Sequence, residues 1–263
     1  MDRRRLWRHI RRAWITLGLA ATVVFVVWSL IAYRASAAAR AALLPDTAVA
    51  VGHGDGVWSF IPRRTPSAGI PALVFFPGAL VDPVAYAPLV RAAAAAEFPA
   101  YIVELPRRGA FGGADDPALE QRLDRLLAAS STPRRWVIAG HSRGAVVASR
   151  IAAERRTGFM GLVLIGSTHP RDVDLSTLAV PVTKVVGTRD GLATRSAVEA
   201  NRAKLPATTR WVWIEGGNHS QFGWYGFQPG DRRATIAAAS QRTTMVQAVI
   251  DALAHAVVRA PAN

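Results

Sequence analysis

Residues 136–150 read Trp-Val-Ile-Ala-Gly-His-Ser-Arg-Gly-Ala-Val-Val-Ala-Ser-Arg. An apolar run over 136–139 meets Gly140-His141-Ser142-Arg143-Gly144, and a helical pattern rich in Ala and Val comes next. This is G-x-S-x-G between a strand and a helix, where a serine nucleophile sits on a sharp turn. The glycines have a steric reason. Side chains two positions either side of the serine would collide with the tight backbone. The helix that starts at the turn aims N–H groups and its positive dipole end at a developing oxyanion.

A serine hydroxyl needs a base, and the base needs a carboxylate to orient it. In the strand–turn–helix setting of this motif, the chain order is Ser, acid, His. Residues 182–192, Val-Thr-Lys-Val-Val-Gly-Thr-Arg-Asp-Gly-Leu, end a strand in Asp190-Gly191. Residues 211–220, Trp-Val-Trp-Ile-Glu-Gly-Gly-Asn-His-Ser, end the next and present His219 in a glycine-rich turn. Both follow strand ends, where ligand sites form in open parallel sheets. Asp172 and Asp174 are rival acids. Glu104 ends a strand and points either into the site or to a structural partner; Glu215 reads as a strand-end polar residue.

Around this segment, β-rich apolar runs recur at 49–51, 57–61, 72–76, 100–104, 136–139, 161–165, 182–186 and 211–214. Helical patterns fall at 89–97, 119–129, 145–155, 196–204 and 241–258. The first two runs read as an antiparallel edge pair. The later alternation predicts an α/β fold: an eight-stranded, mostly parallel sheet with helices on both faces. The sixteen residues 166–181 are too short to insert a cap domain.

Residues 72–258 resemble the α/β-hydrolase superfamily, most nearly its small bacterial serine members close to the dienelactone-hydrolase-like group. The resemblance rests on Gly140-His141-Ser142-Arg143-Gly144, Gly187-Thr188-Arg189-Asp190-Gly191 and Gly217-Asn218-His219. It implies Ser142 as nucleophile, His219 as general base and acid, and Asp190 as the acid that fixes the imidazole. Dienelactone hydrolases use cysteine; this chain has none, so that substrate does not carry over. The oxyanion donors it implies are the N–H of Arg143 and one from the loop after the third strand. There Pro77-Gly78 stands where many relatives have His-Gly; Ala79 is the first choice and Leu80 the second.

The aromatic loop 221–230 follows His219 and reads as a substrate wall. Leu80, His141, Phe222 and Trp224 are therefore the expected pocket residues. The competing reading has the rings packing the base of the last helix and His141 packing under the elbow. His53 and His169 read as solvated loop histidines, and His9 and His255 belong to the tail and the last helix. No metal site and no cofactor is read from the sequence. The function expected is a serine hydrolase acting on a small-molecule or lipid ester; amidase, thioesterase and acyltransferase chemistry share the same triad. A catalytically silent binding module is the reading from another class.

The chain has 263 residues, enough for one catalytic domain with an appendage. Its +14 charge raises nucleic acid as a partner, but the arginines are scattered and no nucleic-acid motif accompanies them. Six of them (Arg3, Arg4, Arg5, Arg8, Arg11, Arg12) precede an uncharged stretch, 13–32. Twenty helical residues cross a hydrocarbon core of about 30 Å. Trp14, Trp28 and Tyr33 sit near its ends, where amphipathic rings favour the interface. The expected organisation is a basic cytoplasmic tail over 1–12, a transmembrane helix over 13–33, a helical stalk over 34–46 and a hydrolase domain over 47–263. Arginines stay cytoplasmic, which places the domain outside. Ala35-Ser36-Ala37 also fits a signal cleavage site, but signal cores run about 7–15 apolar residues, which favours an anchor.

Overall fold

The computed structural model describes residues 3–67, 69–129, 135–155 and 158–258. At its centre is the strand of the elbow, β5 (Trp136–His141). Its alternation shows why the chain is layered. Val137 and Ala139 enter one hydrophobic core and Trp136 and Ile138 the other, on the opposite face. A strand buried on both sides reads as a continuous apolar run, as this one does.

The other strands are β1 (Val49–Gly54), β2 (Val57–Pro62), β3 (Ala72–Phe76), β4 (Ala100–Val103), β6 (Gly161–Ile165), β7 (Val182–Gly187) and β8 (Arg210–Ile214). They form one eight-stranded sheet in the order β1-β2-β4-β3-β5-β6-β7-β8. β1 pairs with β2, and β2 with β4, antiparallel; the pairings from β4 onward in that order are parallel. One face carries α3 (Ala87–Ala95) and α7 (Ala238–Val258); the other carries α4 (Pro117–Ala128) and α5 (Arg143–Arg155). Phe60, Phe75, Phe76 and Ile102 are fully buried, and such a side chain contributes about 1.5–3 kcal/mol.

The helix expected over 196–204 is split. α6 spans Arg195–Glu199 and a separate 3₁₀ turn covers Arg202–Lys204. Between them Asn201 Nδ2 donates to the Ala197 carbonyl, a side-chain bond that competes with the helical ladder.

The N-terminal helix α1 runs from Arg3 to Ala32, so the arginine cluster is helical too. Leu17, Leu19, Val23 and Val24 are each over 60% exposed, an apolar surface of a kind soluble proteins hide. The helix is long and apolar enough to cross a membrane.

The segment after α1, read as a helical stalk over 34–46, holds one short helix and is docked on the domain. Tyr33, Ala35 and Ala39 are buried in the domain core, and α2 (Ala37–Ala41) packs beside it. The junction is held by backbone bonds: Gly226 N–H to Ala32 O (2.9 Å), Ser36 N–H to Trp224 O (2.8 Å) and Asp82 N–H to Tyr33 O (3.0 Å). Small residues at 35, 37–39 and 41–42 let the backbone lie against the domain.

Candidate active site

Ser142 closes β5 with φ +52°, a left-handed conformation that costs a non-glycine residue energy and marks strain at a site. Its N–H donates to Ile165 O (3.0 Å), and its carbonyl accepts from Ala145 and Val146 as α5 begins. A Cβ on Gly140 would lie 2.3 Å from the Gly144 carbonyl, and one on Gly144 1.9 Å from Phe76 O. The elbow is therefore wedged against its own helix and against the end of β3.

Asp190 and His219 come from the ends of β7 and β8. His219 Nδ1 and Asp190 Oδ2 are 2.8 Å apart, both side chains almost fully buried. Asp190 Oδ1 accepts from the N–H groups of Leu192 (2.8 Å) and Ala193 (2.6 Å), so the carboxylate has little freedom to turn. A carboxylate on Nδ1 fixes the tautomer with its proton there and leaves Nε2 as the base. His219 Nε2 is buried without a partner among the described residues.

A cavity of about 290 Å³ brings Ala79, Ser142, Arg143 and His219 together. The loop after β6, from Gly166 to Arg171, and Leu192 with Ala193 complete its wall. The Ala79 and Arg143 N–H groups donate to no other described group. Leu80 N–H is committed to Arg108 O at 2.8 Å, which removes it as an oxyanion donor.

The pocket expectation is corrected at four positions. Leu80, partly buried, packs against the core instead of lining the cavity. His141 is fully buried; its ring lies 4.5 Å from that of His219, beneath it, and 5.6 Å from Phe222. Phe222 is fully buried against His141 and Gly166. Trp224 lies under the Arg242 guanidinium and donates its backbone N–H to Ala85 O. The loop 221–230 turns away from the cavity because its backbone is engaged by the end of α1. The cavity wall it was expected to form is supplied by Ser167, Thr168 and His169.

The remaining candidates also have defined places. Asp172 pairs with His169 Nε2 (3.2 Å) and Arg171, not with His219. Asp174 accepts from Ser176 N–H. Glu104 holds Trp58 Nε1 and His53, and His53 stacks on Trp58 at 4.1 Å. Glu215 accepts from Thr188 Oγ1. His169 is 8% exposed rather than solvated, and burial lowers its pKa despite Asp172.

Three supporting residues carry no signal in the local sequence. Asp231 Oδ1 accepts from Gly191 N–H (3.0 Å) and His219 N–H (3.2 Å), and Oδ2 from Ser220 N–H (2.8 Å) and Oγ (2.6 Å). One carboxylate thus ties together the two turns that carry Asp190 and His219. Tyr86 accepts from Gly78 N–H (3.2 Å), and its hydroxyl lies 2.8 Å from His141 Nδ1. His141 is held neutral by burial and by its neighbour His219. Aromatic rings continue from Tyr86 through Tyr225 to Tyr33 at the end of α1, at 6.4 and 6.0 Å.

Lys184 is the third. It is buried beside Asp190, and Nζ donates to His169 O. Burial lowers its ammonium from 10.5 to about 7, with the charge of Asp190 opposing. The unfolded chain keeps that proton up to its ordinary pKa, so from pH 7 to 10.5 it binds more protons and stability rises with pH. The melting temperature is expected to climb from pH 7 to about pH 9.5, and less steeply in Lys184→Met. Equal slopes in the two chains would contradict this role.

Comparison with known proteins agrees with this architecture. No curated protein matches the sequence. Solved structures do match in fold. TT1662 from Thermus thermophilus aligns with TM-score 0.56 at 17% identity, covering 82% of this chain and 99% of its own. The esterase domain of a Rhodothermus marinus protein gives 0.55 at 12%, covering 77% and 92%. Est1E from Butyrivibrio proteoclasticus gives 0.51 at 12%, covering 77% and 99%. The family model described as the alpha/beta hydrolase family matches residues 72–243, from β3 into α7. That span contains the elbow, both other strand-end turns and the cavity between them, and the chain belongs to the alpha/beta hydrolase family.

Proposed function

We propose that the protein is a serine hydrolase that cleaves a carboxylic ester, or a related acyl bond, through an acyl-serine intermediate. The observation that carries this is the buried His219–Asp190 pair at 2.8 Å, with the free Nε2 in one cavity with Ser142. Ser142 Oγ attacks the acyl carbon while its proton passes to His219 Nε2. The carbonyl oxygen becomes an oxyanion that the Arg143 and Ala79 N–H groups stabilise. Collapse breaks the ester bond, and His219 returns the proton to the leaving alcohol. Water then repeats the sequence on the acyl-serine, with His219 taking its proton. The esterases among the structural neighbours make an ester the first substrate to try.

An assay of the full chain in detergent tests this. A series of 4-nitrophenyl esters of increasing acyl length is compared with the matching anilides. Turnover of at least one short or medium ester is expected, with a burst of one nitrophenol per chain if deacylation is slow. A folded chain that turns over none of the esters or anilides would favour a binding role.

Asp231→Ala is expected to lower kcat on the order of 10²-fold, since slight misplacement of reacting groups costs that much. KM should change little, because Asp231 does not line the cavity. Unaltered kcat would show that the turns hold without it.

The proposed organisation places residues 1–12 in the cytoplasm, α1 in the membrane and the domain outside, on the asymmetry of arginines about the apolar run. A C-terminal reporter active only in the cytoplasm should stay silent. Strong reporter activity would reverse the orientation.

A further inference from the structure

A second cavity, of about 390 Å³, lies on the other side of the His219 turn. Tyr225, Gly226 and Phe227 line it on one side, and Arg233 and Arg242 on another. The first three belong to the loop that grips the end of α1. Gly226 N–H bonds the carbonyl of Ala32, the last residue of α1, and the Tyr225 ring lies 6.0 Å from that of Tyr33. If α1 spans a bilayer, this cavity opens where the helix leaves it.

Its charged lining is basic, while the Asp231 carboxylate, which accepts from the lining residue Ser220, is engaged by that residue's N–H and Oγ. No Asp or Glu lines it, and neither Arg233 nor Arg242 has an ion pair among the described residues. Arg242 is held in place by Gly223 O (2.8 Å from Nη2) and by the Trp224 ring beneath it (4.8 Å). Arg233 is exposed. Phe227 stays 48% exposed beside them, an apolar ring at the rim of a basic cavity. Arg34, also exposed, comes one residue after the end of the helix, past Tyr33. An occupant that suits this arrangement carries a negative charge close to an apolar body, at the level of the membrane surface.

From this we infer that the cavity binds the headgroup of an anionic phospholipid, its phosphate between Arg233 and Arg242 and its chains along the lipid-facing side of α1. The inference rests on the reading of α1 as a membrane anchor. It gives the close docking of helix to domain a consequence: the lipid beside the anchor becomes part of the protein's surface.

The test is native mass spectrometry of the full chain in detergent, offered dioleoyl phosphatidylglycerol or dioleoyl phosphatidylcholine. Each basic side chain near a membrane surface is worth about fivefold in affinity for an anionic lipid, so a preference on the order of tenfold or more for phosphatidylglycerol is expected. Arg233→Gln, an exposed change, should cut it several-fold, and Arg233→Gln with Arg242→Gln should abolish it. Replacing the six arginines of the N-terminal tail should leave most of it. A preference that survives the double change and vanishes with the tail would overturn the assignment, as would no preference at all. Capture of glycerol 3-phosphate as tightly as of the lipid would overturn it in favour of a soluble anion. Carbonate washing of membranes separates the two readings. A chain released by the wash is not anchored, whereas a retained chain without lipid preference sinks only the headgroup site.

Discussion

Ser142→Ala is expected to abolish turnover, with a loss on the order of 10⁶-fold in kcat, the scale found when a serine nucleophile is removed elsewhere. The structure explains why nothing takes over. Ser167 Oγ, in the same cavity, already accepts from His169 N–H and has no place at the start of a helix. The turn should survive, since its shape is set by Gly140, Gly144 and the Ser142 backbone bonds, none of which involves Oγ. Melting temperature should therefore move little while activity disappears. A variant retaining about a tenth of the original rate, far above the residue left when a nucleophile is lost, would place the nucleophile elsewhere.

Asp190→Asn is expected to lower kcat on the order of 10⁴-fold with the fold intact. An amide can present its NH₂ to Nδ1, which drives the imidazole to the wrong tautomer and leaves Nε2 protonated when it should accept. The Leu192 and Ala193 N–H groups on Oδ1 hold the side chain in either case, so the loss should reside in kcat rather than in stability. Asp172→Asn serves as the comparison. Its carboxylate pairs with His169 and Arg171 at the rim, so a loss under about tenfold is expected there, as for an exposed ion pair. A large loss in Asp172→Asn and a small one in Asp190→Asn would reverse the assignment of the acid.

The strands are legible in the sequence because a sheet buried on both faces leaves unbroken apolar runs, and all eight fall within a few residues of their expected positions. The triad candidates are legible for a related reason. Ser142, Asp190 and His219 each stand at the end of such a run, where parallel topology gathers loops at one edge. The features that stay hidden depend on contacts through space. Nothing near Asp231 says that its carboxylate reaches back to both Gly191 and His219. Lys184 sits inside an ordinary strand run, and nothing local says that its ammonium is buried against the His169 carbonyl of the loop after β6. The loop 221–230 reads toward the cavity because it follows His219. It faces the other way because Ala32 and Ser36 bond its backbone, a partnership about 190 residues distant that no local pattern announces. The docking of residues 33–42 stays hidden for the same reason: their alanines read as helix, and the surface they pack against lies elsewhere in the chain.

Everything proposed for the site depends on Ser142 acting as a nucleophile activated by His219. The most direct measurement is covalent capture by a fluorophosphonate, with the modified residue located by peptide mass spectrometry. One label per chain, on Ser142 alone, is expected near neutral pH. None is expected in Ser142→Ala, and a rate near background in His219→Ala, because an unassisted hydroxyl is a poor nucleophile. A folded chain that hydrolyses esters yet carries its label on another serine, or that labels equally well without His219, would contradict it.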